Sequence, residues 1–257
     1  MKRDTITDVD IPGWQRSSFC DDGGVVRPYY WCGNGPPVLL LHELLGLSPA
    51  DLSFGARVAE KGFTVYMPVL FGVPNAVNSA RVIFRACVSR EFDVMAERRS
   101  SPITNAARVL GRLMFATHGG KGIGVVGLCL TGNFALAMMA DEHVVAPVLC
   151  EPALPLPLPW KRGALHASDE EMRCAKRRAA DGVRFLGFRF RNDFMSPEQR
   201  FDNLGKALDG AFERHDLEPP HFFAHPVFTV GYDDTSGEIS RAFERLVEFL
   251  AERLGRR

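Results

Sequence analysis

Short, unbroken apolar runs alternate with longer stretches of helical period along almost the whole of this chain, and that alternation most narrows what it can fold into. Pro37 to Leu41 is continuous apolar sequence, as expected of a strand covered on both faces. Phe63 to Met67 (stopped by Pro68), Ile123 to Leu128, Val144 to Leu149 and Val183 to Phe190 read as further strands, and Val25 to Trp31 as an edge strand. Phe222 to Val230 is also strand-like, although Pro226 confines it to an edge or a loop. Between the strands lie helical patterns at Leu52 to Glu60, Thr104 to Phe115, Phe134 to Ala140 and Glu198 to Arg214. The last helix places Ile239, Phe243, Leu246, Val247, Leu250 and Leu254 on one face. This order predicts an α/β fold with a mainly parallel central sheet and helices on both faces. No Gly/Ser linker, repeat or low-complexity tract divides the sequence, so residues 1–257 are expected to form a single domain.

Composition excludes several classes of function. Apolar residues make up 46% and charged residues 24%, enough to bury a core without metal or disulfide staples. Lys plus Arg and Asp plus Glu each number 31, so the chain has no net charge and no electrostatic footprint for nucleic acid or a membrane surface. Neither a signal-type apolar segment at the start nor an apolar run long enough to span a bilayer is visible, which predicts a cytoplasmic protein. The six cysteines at 20, 32, 87, 129, 150 and 174 show no CxxC pair and no zinc-type spacing, so no metal is expected.

In a parallel sheet, chemistry collects beyond the carboxyl ends of the strands. The run Ile123 to Leu128 passes directly through Cys129 into a helical pattern, with Gly127 and Gly132 on either side. A tight strand-to-helix turn that holds a strained, exposed side chain is a nucleophile elbow, commonly G-x-S-x-G; here Cys129 stands for Ser and Thr131 for the second Gly. A helix start behind Cys129 would favour a thiolate. A cysteine at a strand end is more often simply buried, so partners decide the matter. In this architecture they follow in the order acid, then histidine. Asp193 comes just after Val183 to Phe190, ahead of a helix start with Ser196 as N-cap and Pro197 in its first turn. His225 and His221 both precede the last helix; His225 is preferred, with His221 the reserve. Their spacing of four would suit metal ligands on a helix, but Pro220 and Pro226 argue against one. His42, closing the first long strand, comes too early to be the triad histidine.

Three stretches, Val38 to Leu47 with His42-Glu43-Leu44-Leu45-Gly46, Gly127 to Gly132, and Phe190 to Pro197, resemble the dienelactone hydrolase family. His225-x-x-Phe228 before an amphipathic helix is a weaker fourth. The resemblance implies an α/β-hydrolase fold and a Cys129–His225–Asp193 triad that hydrolyses an ester or lactone, as a carboxymethylenebutenolidase does. It also implies that Glu43 helps control ionisation of the nucleophile. The backbone N–H groups of Leu44 and Leu130 would form an oxyanion hole, and Arg90 and Arg85 (Arg81 as a third option) would hold a substrate carboxylate. No cofactor is implied, the partner is a small-molecule ester or lactone, and a homo-oligomer is left open. Two departures bear on the substrate: Thr131 in place of a glycine, and the stiff proline-rich stretch 152–159. The rival readings are a general small-acyl carboxylesterase or thioesterase, a non-catalytic ligand-binding relative, and a redox-sensing thiol paired with Cys150.

Overall fold

The computed structural model describes residues 9–70, 72–76, 102–153, 162–230, 232 and 237–256. Arg81, Arg85 and Arg90 lie outside the described residues, as does the proline-rich stretch beyond Ala153. Eight strands form one sheet: β1 (Gln15–Cys20), β2 (Val26–Gly33), β3 (Pro37–Leu41), β4 (Thr64–Pro68), β5 (Ile123–Leu128), β6 (Val144–Cys150), β7 (Phe185–Phe190) and β8 (Phe212–Leu217). The described helices are α1 (Pro49–Glu60), α2 (Pro102–His118), α3 (Gly132–Ala137), α4 (Asp169–Ala180), α5 (Glu198–Ala207) and α6 (Gly237–Leu254).

Strand order is β1-β2-β4-β3-β5-β6-β7-β8; only β1 and β2 run antiparallel to their neighbours, and the rest is parallel. Strands β3, β5 and β7 are buried at every residue, which is why they carry no polar alternation. Alternate residues of each strand enter opposite cores. Val38, Leu40, Val126, Leu128, Val148 and Cys150 pack with Phe54 and Val58 of α1 and Phe243, Leu246 and Leu250 of α6. Leu39, Leu41, Val125 and Leu149 pack with Ala106 and Leu110 of α2, Phe134 of α3, Ala175 of α4 and Leu204 of α5. The sheet with helices on both faces follows the sequence pattern.

Several stretches differ from it, and β1 and α4 lie where it predicts no element. The helix expected over Glu198 to Arg214 ends at Ala207, because Asp209 and Gly210 take φ values of 43° and 77°, and Phe212–Leu217 becomes the edge strand β8. Its sequence, Phe-Glu-Arg-His-Asp-Leu, is half exposed and charged, as a protected sheet edge should be, so no apolar run announces it. Phe222 to Val230 is then loop and not strand; Pro226 cannot donate to a ladder, and the edge place is already taken by β8. Ser196 does not cap α5 either: Pro197 takes the N-cap position without a side-chain bond, and Ser196 instead donates its N–H to Asp193. No helix among the described residues is long and apolar enough to cross a membrane.

The turn after β5 is where the fold has least room. A Cβ on Gly127 would stand 2.2 Å from the Thr131 carbonyl oxygen, and one on Gly132 2.9 Å from the Cα of Pro152. Both obstacles are backbone, so neither can swing aside. Gly127→Ala is expected to lose about 1–3 kcal/mol of stability, the usual range for overpacking, measured as a lower denaturation midpoint. Gly205→Ala, within α5 and facing open space, should instead raise the midpoint by about 1 kcal/mol of helix propensity.

Candidate active site

Cys129 follows the last residue of β5 with φ 54°, a left-handed conformation unusual for a side chain that carries a Cβ. The chain turns through a single 3₁₀ turn, Cys129–Thr131, into the six-residue helix α3. That helix is short and leads into a second 3₁₀ turn at Met138–Ala140, so it supplies a weaker dipole than a full-length helix behind the elbow would. Thr131 performs a task glycine could not. Its hydroxyl accepts from the Leu128 N–H at 3.0 Å and has the carbonyls of Leu41 and Leu128 as alternative acceptors at 2.8 Å, tying the elbow to the end of β3. The carbonyl of Cys129 accepts from the Ala153 N–H at 3.0 Å. Asn133 donates to the carbonyls of Leu130 and Ala153, and accepts from the fully buried Arg200 of α5, whose guanidinium burial pulls down to about 9.

Asp193 leaves the end of β7 and is 5% exposed. Its Oδ1 accepts from the backbone N–H groups of Met195 (2.8 Å) and Ser196 (3.2 Å), which leaves Oδ2 to face His225 Nδ1 at 2.7 Å. The imidazole Nε2 is buried with no hydrogen-bond partner among the described residues. Burial opposes the charged imidazolium, yet the Cys129 sulfur and the Asp193 carboxylate outweigh it and hold the ring well above the ordinary histidine range. The structure therefore brings Cys129, Asp193 and His225 together. His221 remains exposed, four residues upstream on the same loop.

The loop after β3 holds the other expected group. His42 is fully buried, and its partners fix its tautomer. The Leu70 N–H can only donate, to Nε2 at 3.0 Å, so Nδ1 carries the proton and donates to the Glu43 carbonyl at 2.7 Å. Burial keeps this ring neutral, below its ordinary pKa. Asp51 receives the Glu43 N–H at 3.1 Å and caps α1 together with Ser48. The Glu43 carboxyl accepts from the Thr229 hydroxyl, four residues past His225. Burial first, then Asp51, lifts Glu43 to about 7, against the opposing effects of Thr229 and His225. Leu44 follows in the same loop, and Leu130 is the buried second residue of the elbow turn.

Thr229 and Glu151 escaped the sequence reading. Thr229 carries no motif of its own. Glu151 does have a signal: it stands immediately after the apolar run that became β6, where a parallel sheet places its chemistry. Cys150, by contrast, points away from the site. It is the register partner of Leu128, and its thiol, which burial pushes up, packs in the core on the opposite face from Cys129. Neighbouring strands thus carry the two thiols back to back.

The mostly parallel eight-stranded sheet, with a strained cysteine at the end of its central strand, is an α/β-hydrolase fold. The model of the dienelactone hydrolase family matches residues 23–158, more than half of the chain, and the protein belongs to that family of ester-bond hydrolases. No curated protein matches the sequence. Among solved structures, it is similar to a protein of Klebsiella pneumoniae subsp. pneumoniae assigned as a dienelactone hydrolase, at 18% identity and TM-score 0.66, covering 93% of this chain and 99% of that one. A dienelactone hydrolase-like promiscuous phosphotriesterase from metagenomic libraries follows at 14% identity and TM-score 0.63 (95% and 100% covered). An esterase of Pyrococcus furiosus superposes at 12% identity and TM-score 0.62 (94% and 93% covered). At these identities the likeness is one of fold.

The position of Glu43 has a measurable consequence. A carboxyl lifted from its ordinary 4.5 to about 7 keeps its proton in the folded state over a range where the unfolded chain has lost it. The unfolded state then binds fewer protons, so this group's contribution to stability falls as pH rises from about 4.5 through about 7. Glu43→Gln should flatten that decline, seen as a smaller drop in Tm than wild type between the two pH values. Parallel Tm curves would show that Glu43 titrates normally.

Proposed function

We propose that this protein hydrolyses an ester or lactone bond through a Cys129–His225–Asp193 triad, in a dienelactone hydrolase-like reaction of the carboxymethylenebutenolidase type. Residues 1–257 would act as one catalytic domain. The observations that support the reading are the imidazole of His225, held by Asp193 at Nδ1 and, against burial, shifted upward by the Cys129 sulfur, and the φ of 54° at Cys129. The thiol proton, already held by His225 as the sulfur attacks the carbonyl carbon, passes to the leaving alkoxide or enolate. Water, deprotonated by the same imidazole, cleaves the thioester and regenerates the thiol. The N–H groups of Leu44 and Leu130 hold the oxyanion, where losing one donor typically costs about 10²- to 10³-fold in rate.

Glu43 tempers this chemistry. Ionised, it opposes a thiolate nearby; protonated, it does not. With its carboxyl lifted to about 7 and engaged by Thr229, it occupies both forms near neutrality, so a substrate that displaces it from Thr229 would also release the thiol. Thiol esters turn over best from activated acyl donors, which favours enol lactones and activated esters over amides. A second reading, an esterase for apolar acyl groups, draws support from side chains on the loops around the site. Leu45, Phe194, Phe222, Phe223 and Val230 are all exposed, Phe222 to 84% and Phe223 to 74%.

The test compares wild type with Cys129→Ala, His225→Ala and His221→Ala on p-nitrophenyl acetate and an enol lactone. The expected loss is about 10³-fold or more for Cys129→Ala and His225→Ala, against little change for His221→Ala. Undiminished turnover by Cys129→Ala would sink the reading, and survival of activity in His225→Ala would move the base elsewhere. Across p-nitrophenyl esters, kcat/KM climbing from acetate to hexanoate favours the apolar-ester reading; a preference for the lactone favours the first.

A further inference from the structure

Glu151 is fully buried one residue past β6, with its backbone at φ 34°. Such a conformation in a non-glycine residue is costly and persists where the surroundings demand it. Its N–H donates to the Phe188 carbonyl of β7 at 2.7 Å, and its Oε2 accepts from the Val227 N–H at 3.3 Å, two residues past His225. Oε1 is buried with no hydrogen-bond partner among the described residues. Strands β6 and β7 are parallel neighbours, so Glu151 and Asp193 leave adjacent strands at the same end.

Four titratable groups face Glu151: His225 from the loop after β8, Asp193 from the loop after β7, Glu43 from the loop after β3, and the preceding thiol, Cys150. Three carboxyls thus surround one imidazole. Carboxyls that share a site cannot all ionise at low cost. Asp193 has three hydrogen-bond partners, His225 Nδ1 and two backbone N–H groups. Glu151 has one long amide contact and an unpartnered oxygen; burial, reinforced by Glu43 and Asp193, keeps its proton on well above the ordinary carboxyl range, with His225 the strongest opposing influence.

We propose that Glu151 is a positioning residue for His225, a second acid beside the same imidazole as Asp193, able to carry the negative charge in its place. In the resting site it is neutral and anchors the histidine loop through Val227. When Asp193 loses its charge, one of the weaker influences holding the proton on Glu151 is removed, with burial still dominant; as pH rises the proton leaves to solvent, and the new carboxylate supports the imidazolium. The role in turnover rests on the hydrolase reading, while the electrostatic exchange between the two acids does not.

The experiment uses Asp193→Asn, Glu151→Gln and the double variant of the full chain. Two quantities are followed against pH: kcat/KM on p-nitrophenyl acetate, and the rate of iodoacetamide alkylation at Cys129, read by peptide mass. Removing the orienting acid of a triad typically costs about 10⁴-fold. Here Asp193→Asn is expected to lose only about 10²-fold, and to recover activity as pH rises and Glu151 ionises. Glu151→Gln alone costs a few-fold, whereas the double variant falls at least about tenfold below Asp193→Asn and loses the rise with pH. A merely structural Glu151 would leave that rise in place. Should Asp193→Asn fail to fold, Asp193→Ser, which keeps an acceptor for the Met195 and Ser196 amides, replaces it. Identical profiles for the single and double variants overturn the proposal. If wild type cleaves no ester, the hydrolase reading falls; the alkylation profiles still decide the role of Glu151.

Discussion

Cys129 stands at φ 54°, where an L-residue loses about 1–2 kcal/mol relative to its relaxed conformations. The neighbourhood leaves no alternative. Gly127 lets the Thr131 carbonyl approach within a distance no Cβ tolerates, Gly132 does the same for Pro152, and the Thr131 hydroxyl stitches the turn to the end of β3. The position of Cys129 is thus set by backbone packing between central strands, and the other groups of the candidate site are placed relative to it. Ala153 binds its carbonyl, Asn133 and Arg200 brace the turn from behind, and His225 arrives from the far edge of the sheet.

Around this rigid point the electrostatics are unusually crowded with acids. Asp193 is well satisfied by hydrogen bonds, Glu43 is lifted to about 7, and Glu151 is kept neutral by burial. His42 stays out of the proton traffic: both ring nitrogens are committed to backbone groups, so it shapes the loop that presents Glu43 and Leu44. The single imidazole of His225 therefore sits in a field that depends on the protonation of Glu43 and Glu151.

Much of this was legible in the sequence, for a physical reason. Fully buried parallel strands must be continuous apolar runs, and the elbow must be flanked by small residues, so β3, β5 and the turn at Cys129 announce themselves. The order acid then histidine follows from the fold. Strand β8 was not legible because an edge strand is half solvated and charged, which at short length imitates a helix surface; Phe222 to Val230, apolar yet loop, was read as strand in its place. Glu151 was hidden differently. Its position after a strand was visible, but the protonation of a buried carboxyl depends on neighbours from β3, β7 and β8, which no local pattern contains.

The loop that carries His225 has no strand of its own and is pinned largely by groups distant in the chain. Thr229 bonds to Glu43 across 186 residues, and the Phe228 carbonyl accepts from Arg57 across 171. The turn at Cys129 is tied to β3 through Thr131 and braced by Arg200 of α5, and the bonds that seat the His225 loop include two to residues in the first quarter of the chain. Seating the imidazole therefore depends on contacts of high sequence separation, whose closure carries an entropy cost that local contacts avoid.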